Sequence, residues 1–159
     1  MGKGMVSNRK LGLTFLLAFL AISSLTYLGA IRPTEAQGSW KFEITEVVTQ
    51  DYYGNPKSTF VRGEIIMIKF KVTNTMTYTY AAEPFLALAK IMKGSVMWGA
   101  GAFSSSLLSG ENLVVAVGIM IPLNAPTGQY KATVYVWSNW ASQGGYPIAK
   151  DEEVDFTVI

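Results

Sequence analysis

Residues 112–137, NLVVAVGIMIPLNAPTGQYKATVYVW, decide the fold. Leu113, Val115, Val117, Ile119 and Ile121 recur at every second position, and Tyr130, Ala132, Val134 and Val136 repeat the pattern after a break. A period of two places one set of side chains on one face of an extended strand. The break is chemical. Pro122 and Pro126 have no N–H to give to a ladder, so the first strand stops there. Gly128 permits a positive φ, and Tyr130 then stands two residues into the next strand, where its hydroxyl can bond back to the corner.

Outward from this stretch the same alternation continues. Trp40, Phe42 and Ile44 alternate with Lys41, Glu43 and Thr45. Ile66, Ile68, Phe70 and Val72 face away from Lys69, Lys71 and Thr73, and these two lysines belong to the solvated face. Residues 85–92 carry little charge and read as a strand covered on both faces. Residues 96–103 read as a weaker strand, in which Gly99 and Gly101 suggest a bulge or an edge. Val154, Phe156 and Val158 close the chain. Residues 52–58 form a loop and 76–82 a Thr/Tyr-rich connection. Seven short antiparallel strands in about 120 residues, with one solvated face each, imply an all-β, two-sheet sandwich of immunoglobulin-like type.

Ahead of the strands stands an uncharged, mostly apolar run at 11–31, with Lys3, Arg9 and Lys10 before it. Basic residues before such a run are an export signal. As a helix, its 21 residues would reach roughly 31 Å, enough to cross a bilayer core. Ser23, Ser24 and Thr26 instead delimit a shorter apolar centre, and Ala36-Gln37-Gly38 would suit a cut before Ser39. Both outcomes stay open: an N-terminal hydrophobic helix that anchors the chain, or a leader that is removed. A pilin-type cut after Gly4 fits less well, because Ser7, Asn8, Arg9 and Lys10 intervene. Residues 1–38 are therefore signal or anchor with a short linker, and 39–159 are one domain lying outside the cell.

Composition narrows the function. The net charge of +2 belongs to the leader: without Lys3, Arg9, Lys10, Arg32 and Glu35, the domain has 9 basic and 10 acidic residues. Nucleic acid is not an expected partner, since phosphate binding needs clustered Lys and Arg. The chain has no Cys and no His. That removes disulfides, thiol chemistry, the commonest general base and the commonest transition-metal ligand. No catalytic residue, cofactor or metal site is expected. Asp151, Glu152, Glu153 and Asp155 lack the spacing of a calcium loop and read as a solvated acidic face.

Three motifs carry a family resemblance. Phe60-x-Arg62-Gly63-Glu64 leads into a strand ending Val72-Thr73-Asn74. Leu108-Ser109-Gly110-Glu111 leads into the next motif-bearing strand. Pro122-x-x-Ala125-Pro126-x-Gly128-x-Tyr130 forms the corner. Together they resemble immunoglobulin-like sandwich domains of prokaryotic, including archaeal, cell-surface proteins of the adhesion and macroglobulin types. The resemblance implies a spacer, a binder or a filament subunit.

The candidate site lies at residues 137–147, where sandwich domains place binding loops. Trp137, Asn139, Trp140, Gln143 and Tyr146 can stack on a sugar or peptide and hydrogen-bond its edges. The competing reading folds Trp140 and Tyr146 back over the sheet end. Tyr52, Tyr53, Tyr78 and Tyr80 read as loop and edge aromatics, or as an interface. The expected function is a non-enzymatic surface binding or structural module acting through its loops or sheet edges. The alternatives are a filament subunit assembled by strand donation, with the tail before Trp40 as the donor, and a carbohydrate-binding module. Expected partners are the membrane through 11–31 if uncleaved, a protein or glycan at the cell surface, and the chain itself.

Overall fold

The computed structural model describes residues 40–77 and 80–159. The leader, the anchor and cleavage readings, and Tyr78 lie outside the described residues. Within them the chain is all-β. Eight strands run in the order β1 (Phe42–Gln50), β2 (Thr59–Phe60), β3 (Ile65–Asn74), β4 (Glu83–Lys93), β5 (Val96–Leu107), β6 (Asn112–Met120), β7 (Gly128–Trp137) and β8 (Glu152–Val158), with one 3₁₀ turn at Ala141–Gln143. They form a three-stranded sheet, β1-β3-β6, and a five-stranded sheet, β2-β8-β7-β4-β5.

Two expectations need correction. There are eight strands among the described residues, not seven, and one pairing is parallel. The added strand is β2, which pairs with β8 in parallel through Thr59–Thr157 and Phe60–Val158. Two residues are too few to show alternation, so periodicity passes over them. The other pairings are antiparallel.

The alternating rows become the core. Ile66, Ile68, Phe70 and Val72 from β3, Phe85, Ala87, Ala89 and Ile91 from β4, and Ala132, Val134 and Val136 from β7 are all buried in one cluster that draws on both sheets. Each large apolar side chain fully buried there contributes about 1.5–3 kcal/mol. Leu113 and Val154, the first members of their rows, are only partly buried against this cluster.

The β5 glycines explain how the sheets close. β5 is an edge strand, and its register with β4 shifts between Ile91 and Met92. Gly101 faces β6 of the other sheet so closely that a Cβ would stand 2.5 Å from Val117 Cγ1, and at Gly99 it would stand 2.5 Å from Ile119 Cγ2. A methyl group at either position has no space, so the two edge strands pack backbone against side chain.

Candidate functional site

Two ends of β7 carry the residues singled out in the sequence. At its start is the corner. Tyr130 Oη donates to the Pro126 carbonyl at 2.7 Å, and Gly128 has φ +125°. The Tyr130 ring stacks on Phe156 with centroids 5.4 Å apart. Burial pushes the phenol above its ordinary pKa, with Arg62 opposing weakly. Pro122 accepts from Ala125 N–H at 3.0 Å. The corner is filled by its own side chains and joins β6 to β7.

The loop after β7 is built differently. It is closed by backbone bonds. Ser138 N–H donates to the Tyr146 carbonyl at 2.9 Å, and Ile148 N–H to the Val136 carbonyl at 2.9 Å. Within the loop, Gln143 and Gly145 N–H both donate to the Trp140 carbonyl at 2.9 Å. Asn139 Oδ1 accepts from Trp140 N–H at 2.8 Å, and Ser138 Oγ accepts from Tyr146 N–H at 3.2 Å. Gly145 passes so near that a Cβ would meet the Asn139 carbonyl oxygen at 1.9 Å. The loop therefore does not need its aromatics to hold it. Trp140 stays 47% exposed and Tyr146 54% exposed. Trp140 sits beside the ends of β4 and β5, while both residues keep about half of their surface open.

The loop and the neighbouring sheet enclose a groove of about 630 Å³. Asn139, Trp140 and Gln143 line one side, and Ser104, Ser105 and Ser106 of β5 line another, with Pro84, Phe85 and Leu86 of β4 at the floor. Among the described residues, no charged side chain lines it. The serines were missed in the sequence, where a Ser-Ser-Ser run reads as a loop rather than as the end of a strand. The pairing of Leu86 with Ser104 and of Pro84 with Ser106 puts two of these hydroxyl-bearing residues on the face that the loop overhangs.

The other two sequence candidates are placed elsewhere. Trp137 lies in a separate, apolar groove on the outer face of the five-stranded sheet, with Leu88, Met97, Ala100 and Tyr135. Its Nε1 is buried without a hydrogen-bond partner among the described residues. Lys90 Nζ lies 4.9 Å from the Tyr135 ring centroid, a cation–π contact. Tyr146 stands toward Lys41, whose ammonium is held above its ordinary pKa first by the 2.6 Å bond to Glu83, with Tyr146 a smaller contributor.

Two of the four acids at the end of the chain, Glu152 and Glu153, are paired within the fold. Glu153 bonds Lys131 at 2.6 Å, and that bond lowers the Glu153 pKa and raises that of Lys131. Glu152 lies 3.8 Å from Lys150. Lys71, on the outward face of β3, bonds Glu46 at 2.7 Å. Tyr52 and Tyr53 stand exposed in a loop that Asp51 fastens by accepting from the Tyr53 and Asn55 N–H groups at 2.9 Å. Tyr80 is fully exposed.

This geometry defines the class: a β-sandwich whose loop end carries an uncharged groove. No protein-family model and no curated protein sequence matches the chain. Among solved structures it is similar to the C-terminal domain of wzt, at 13% identity and a TM-score of 0.61 over 80% of each chain. It is also similar to part of the Pseudomonas fluorescens alkylpurine DNA glycosylase AlkC, solved bound to DNA containing an abasic site analog. There the identity is 16% and the TM-score 0.50, over 75% of this chain and 30% of the glycosylase. The chain thus spans under a third of that enzyme. At such identities the likeness is one of fold.

Proposed function

We propose that this chain is an exported, non-enzymatic cell-surface module of immunoglobulin-like type that binds a neutral saccharide in the groove beside Trp140. The strand order supports the immunoglobulin-like reading: β1, β3 and β6 form one sheet and β4, β7 and β8 lie together in the other, as A, B, E and C, F, G do in such domains. The basic-then-apolar leader supports export. The absence of His and Cys from the sequence, together with a groove lined by no carboxylate among the described residues, supports binding without chemistry.

One observation carries the ligand class. The loop is held by its own backbone bonds and still leaves about half of Trp140 open beside two side-chain amides and a row of serine hydroxyls. An open aromatic face packs against the C–H face of a sugar, while amides and hydroxyls exchange hydrogen bonds with its hydroxyls. A site fixed before binding loses less entropy on binding. A groove without charge selects no anion and no cation.

The test is affinity electrophoresis of the purified full chain through gels containing a neutral glucan, mannan or galactan. At least one polysaccharide should retard the chain. Trp140→Ala should abolish the retardation, whereas Tyr130→Phe, at the remote corner, should leave it intact. Equal mobility with and without all three polymers would defeat the saccharide reading. Export is tested separately: deleting residues 11–22 should leave the protein in the cytoplasm.

A further inference from the structure

The two sides of the sandwich treat their open edges in opposite ways. An edge strand presents unpaired N–H and C=O groups, and proteins that stay monomeric protect them with charge, bulges or shortness. On one side these devices are present. β1 carries Glu43 and Glu46, and its ladder is interrupted between Thr45 and Val48, where Glu46 adopts φ +56°. β2 is only two residues long. On the other side charge and shortness are missing, and a single irregularity near Trp98 interrupts the edge. β5 is a 12-residue edge strand, VMWGAGAFSSSL, with no charged residue and no proline. β6, the edge of the facing sheet on the same side, has 9 residues and no charge. From Gly94 to Gln129 the sequence holds one charged residue, Glu111. Glu111 is engaged in its own turn, accepting from Leu108 N–H at 2.9 Å.

We infer that two copies of this chain pair through β5, antiparallel across a two-fold axis, so that their five-stranded sheets become one continuous sheet. An antiparallel strand is complementary to a copy of itself, which is what a two-fold interface requires. Every cross-strand pair formed this way is neutral, whereas β1 against β1 would bring glutamates together on the ladder. After the single register shift near Trp98, β5 runs in unbroken register with β4 from Gly99 to Leu107, so its outer edge is regular over that length. The upstream segment is the poorer occupant: residues 32–39 carry Arg32, Pro33 and Glu35 against an uncharged ladder. Nor is there a gap between the sheets for a donated strand, because β5 and β6 are already in contact at Gly101 and Val117. The proposal does not depend on the saccharide reading.

The natural absence of cysteine gives a clean assay. Ala100→Cys, Ala102→Cys and Ser104→Cys are made singly in the full chain and oxidised. The position nearest the axis should give a disulfide dimer, and Glu43→Cys on the β1 edge should give none. Wild type should sediment at twice the monomer mass. Ala102→Lys and Ala102→Glu, both at an exposed site, should each weaken association on the order of tenfold. An equimolar mixture of the two should restore the dimer, which an unfolded variant cannot do. A monomeric wild type, association untouched by either charge, or β5 cysteines that cross-link to residues 32–39 in place of β5 would overturn the inference.

Discussion

Asn74 Nδ2 donates to the carbonyl oxygen of Leu107 at 2.9 Å, so the last residue of β3 in one sheet is tied to the last residue of β5 in the other. The same side chain accepts from Met76 N–H at 3.0 Å. Its backbone N–H donates to the Glu111 carbonyl, and its carbonyl accepts from Gly110 N–H, both at 2.9 Å. Asn74 is fully buried, and this one residue clips two sheets and a turn together. Asn74→Ala leaves the Leu107 carbonyl and the Met76 N–H without these partners, at a cost of about 1–3 kcal/mol. Asn74→Asp keeps an acceptor for Met76 but sets a carboxylate against the Leu107 carbonyl, and should cost more at neutral pH than the alanine does. Urea unfolding measures both. An alanine variant as stable as wild type would remove the clip from the account.

Glu64 gives the fold an acid-sensitive fastening. Its carboxylate accepts from the Lys57 ammonium and from Val61 N–H, the latter at 2.8 Å, and these bonds, the lysine first, hold its pKa below the ordinary Glu value. The pKa is therefore lower folded than unfolded. Its contribution is complete above the ordinary Glu value of about 4.3 and fades as pH falls through the folded value. Glu64→Gln keeps an acceptor for Val61 and loses the charge. It should be less stable than wild type at pH 7, by under about 1 kcal/mol because the pair is partly exposed. The gap should close as pH falls through the folded value. Urea midpoints across that range decide it, and a gap independent of pH would count against the fastening.

The inward rows of β3, β6 and β7 were legible in the sequence because a strand with one buried face writes its period directly into residue type. What was lost has physical causes. β1 continues to Gln50, past the point where alternation ends at Ile44, because the irregularity at Glu46 shifts the phase and turns Val47 and then Thr49 to the inside. Strand β5 continues through three serines that local propensity assigns to a loop, since pairing with β4 outweighs it. Residues 85–92 carry little charge and so read as covered on both faces. Leu86 is buried on the outer face, whereas Leu88, Lys90 and Met92 are only half-buried. Of the five loop residues named from sequence, Asn139, Trp140 and Gln143 share the groove. Trp137 and Tyr146 do not, because strand alternation and the Trp137–Pro147 bridge direct them elsewhere. Composition identifies an aromatic loop; only the backbone path says which rings meet.

Gly145 tests whether the loop is fixed before any ligand arrives. A Cβ there would lie 1.9 Å from the Asn139 carbonyl oxygen and 2.8 Å from that of Trp140. Both are backbone atoms, so Gly145→Ala must open the turn that carries Trp140 and Gln143. The 3₁₀ turn buries no residue, so global stability should fall by only about 1 kcal/mol. Amide hydrogen exchange should accelerate at Gln143 and Gly145, whose N–H groups bond the Trp140 carbonyl, and stay slow at Val134 and Val136 in β7. Retardation by polysaccharide should be lost as fully as in Trp140→Ala, although every groove side chain remains. Unchanged exchange at residues 143 and 145 would mean that the loop tolerates the methyl. Faster exchange with binding intact would mean that the order of the loop is not what presents Trp140.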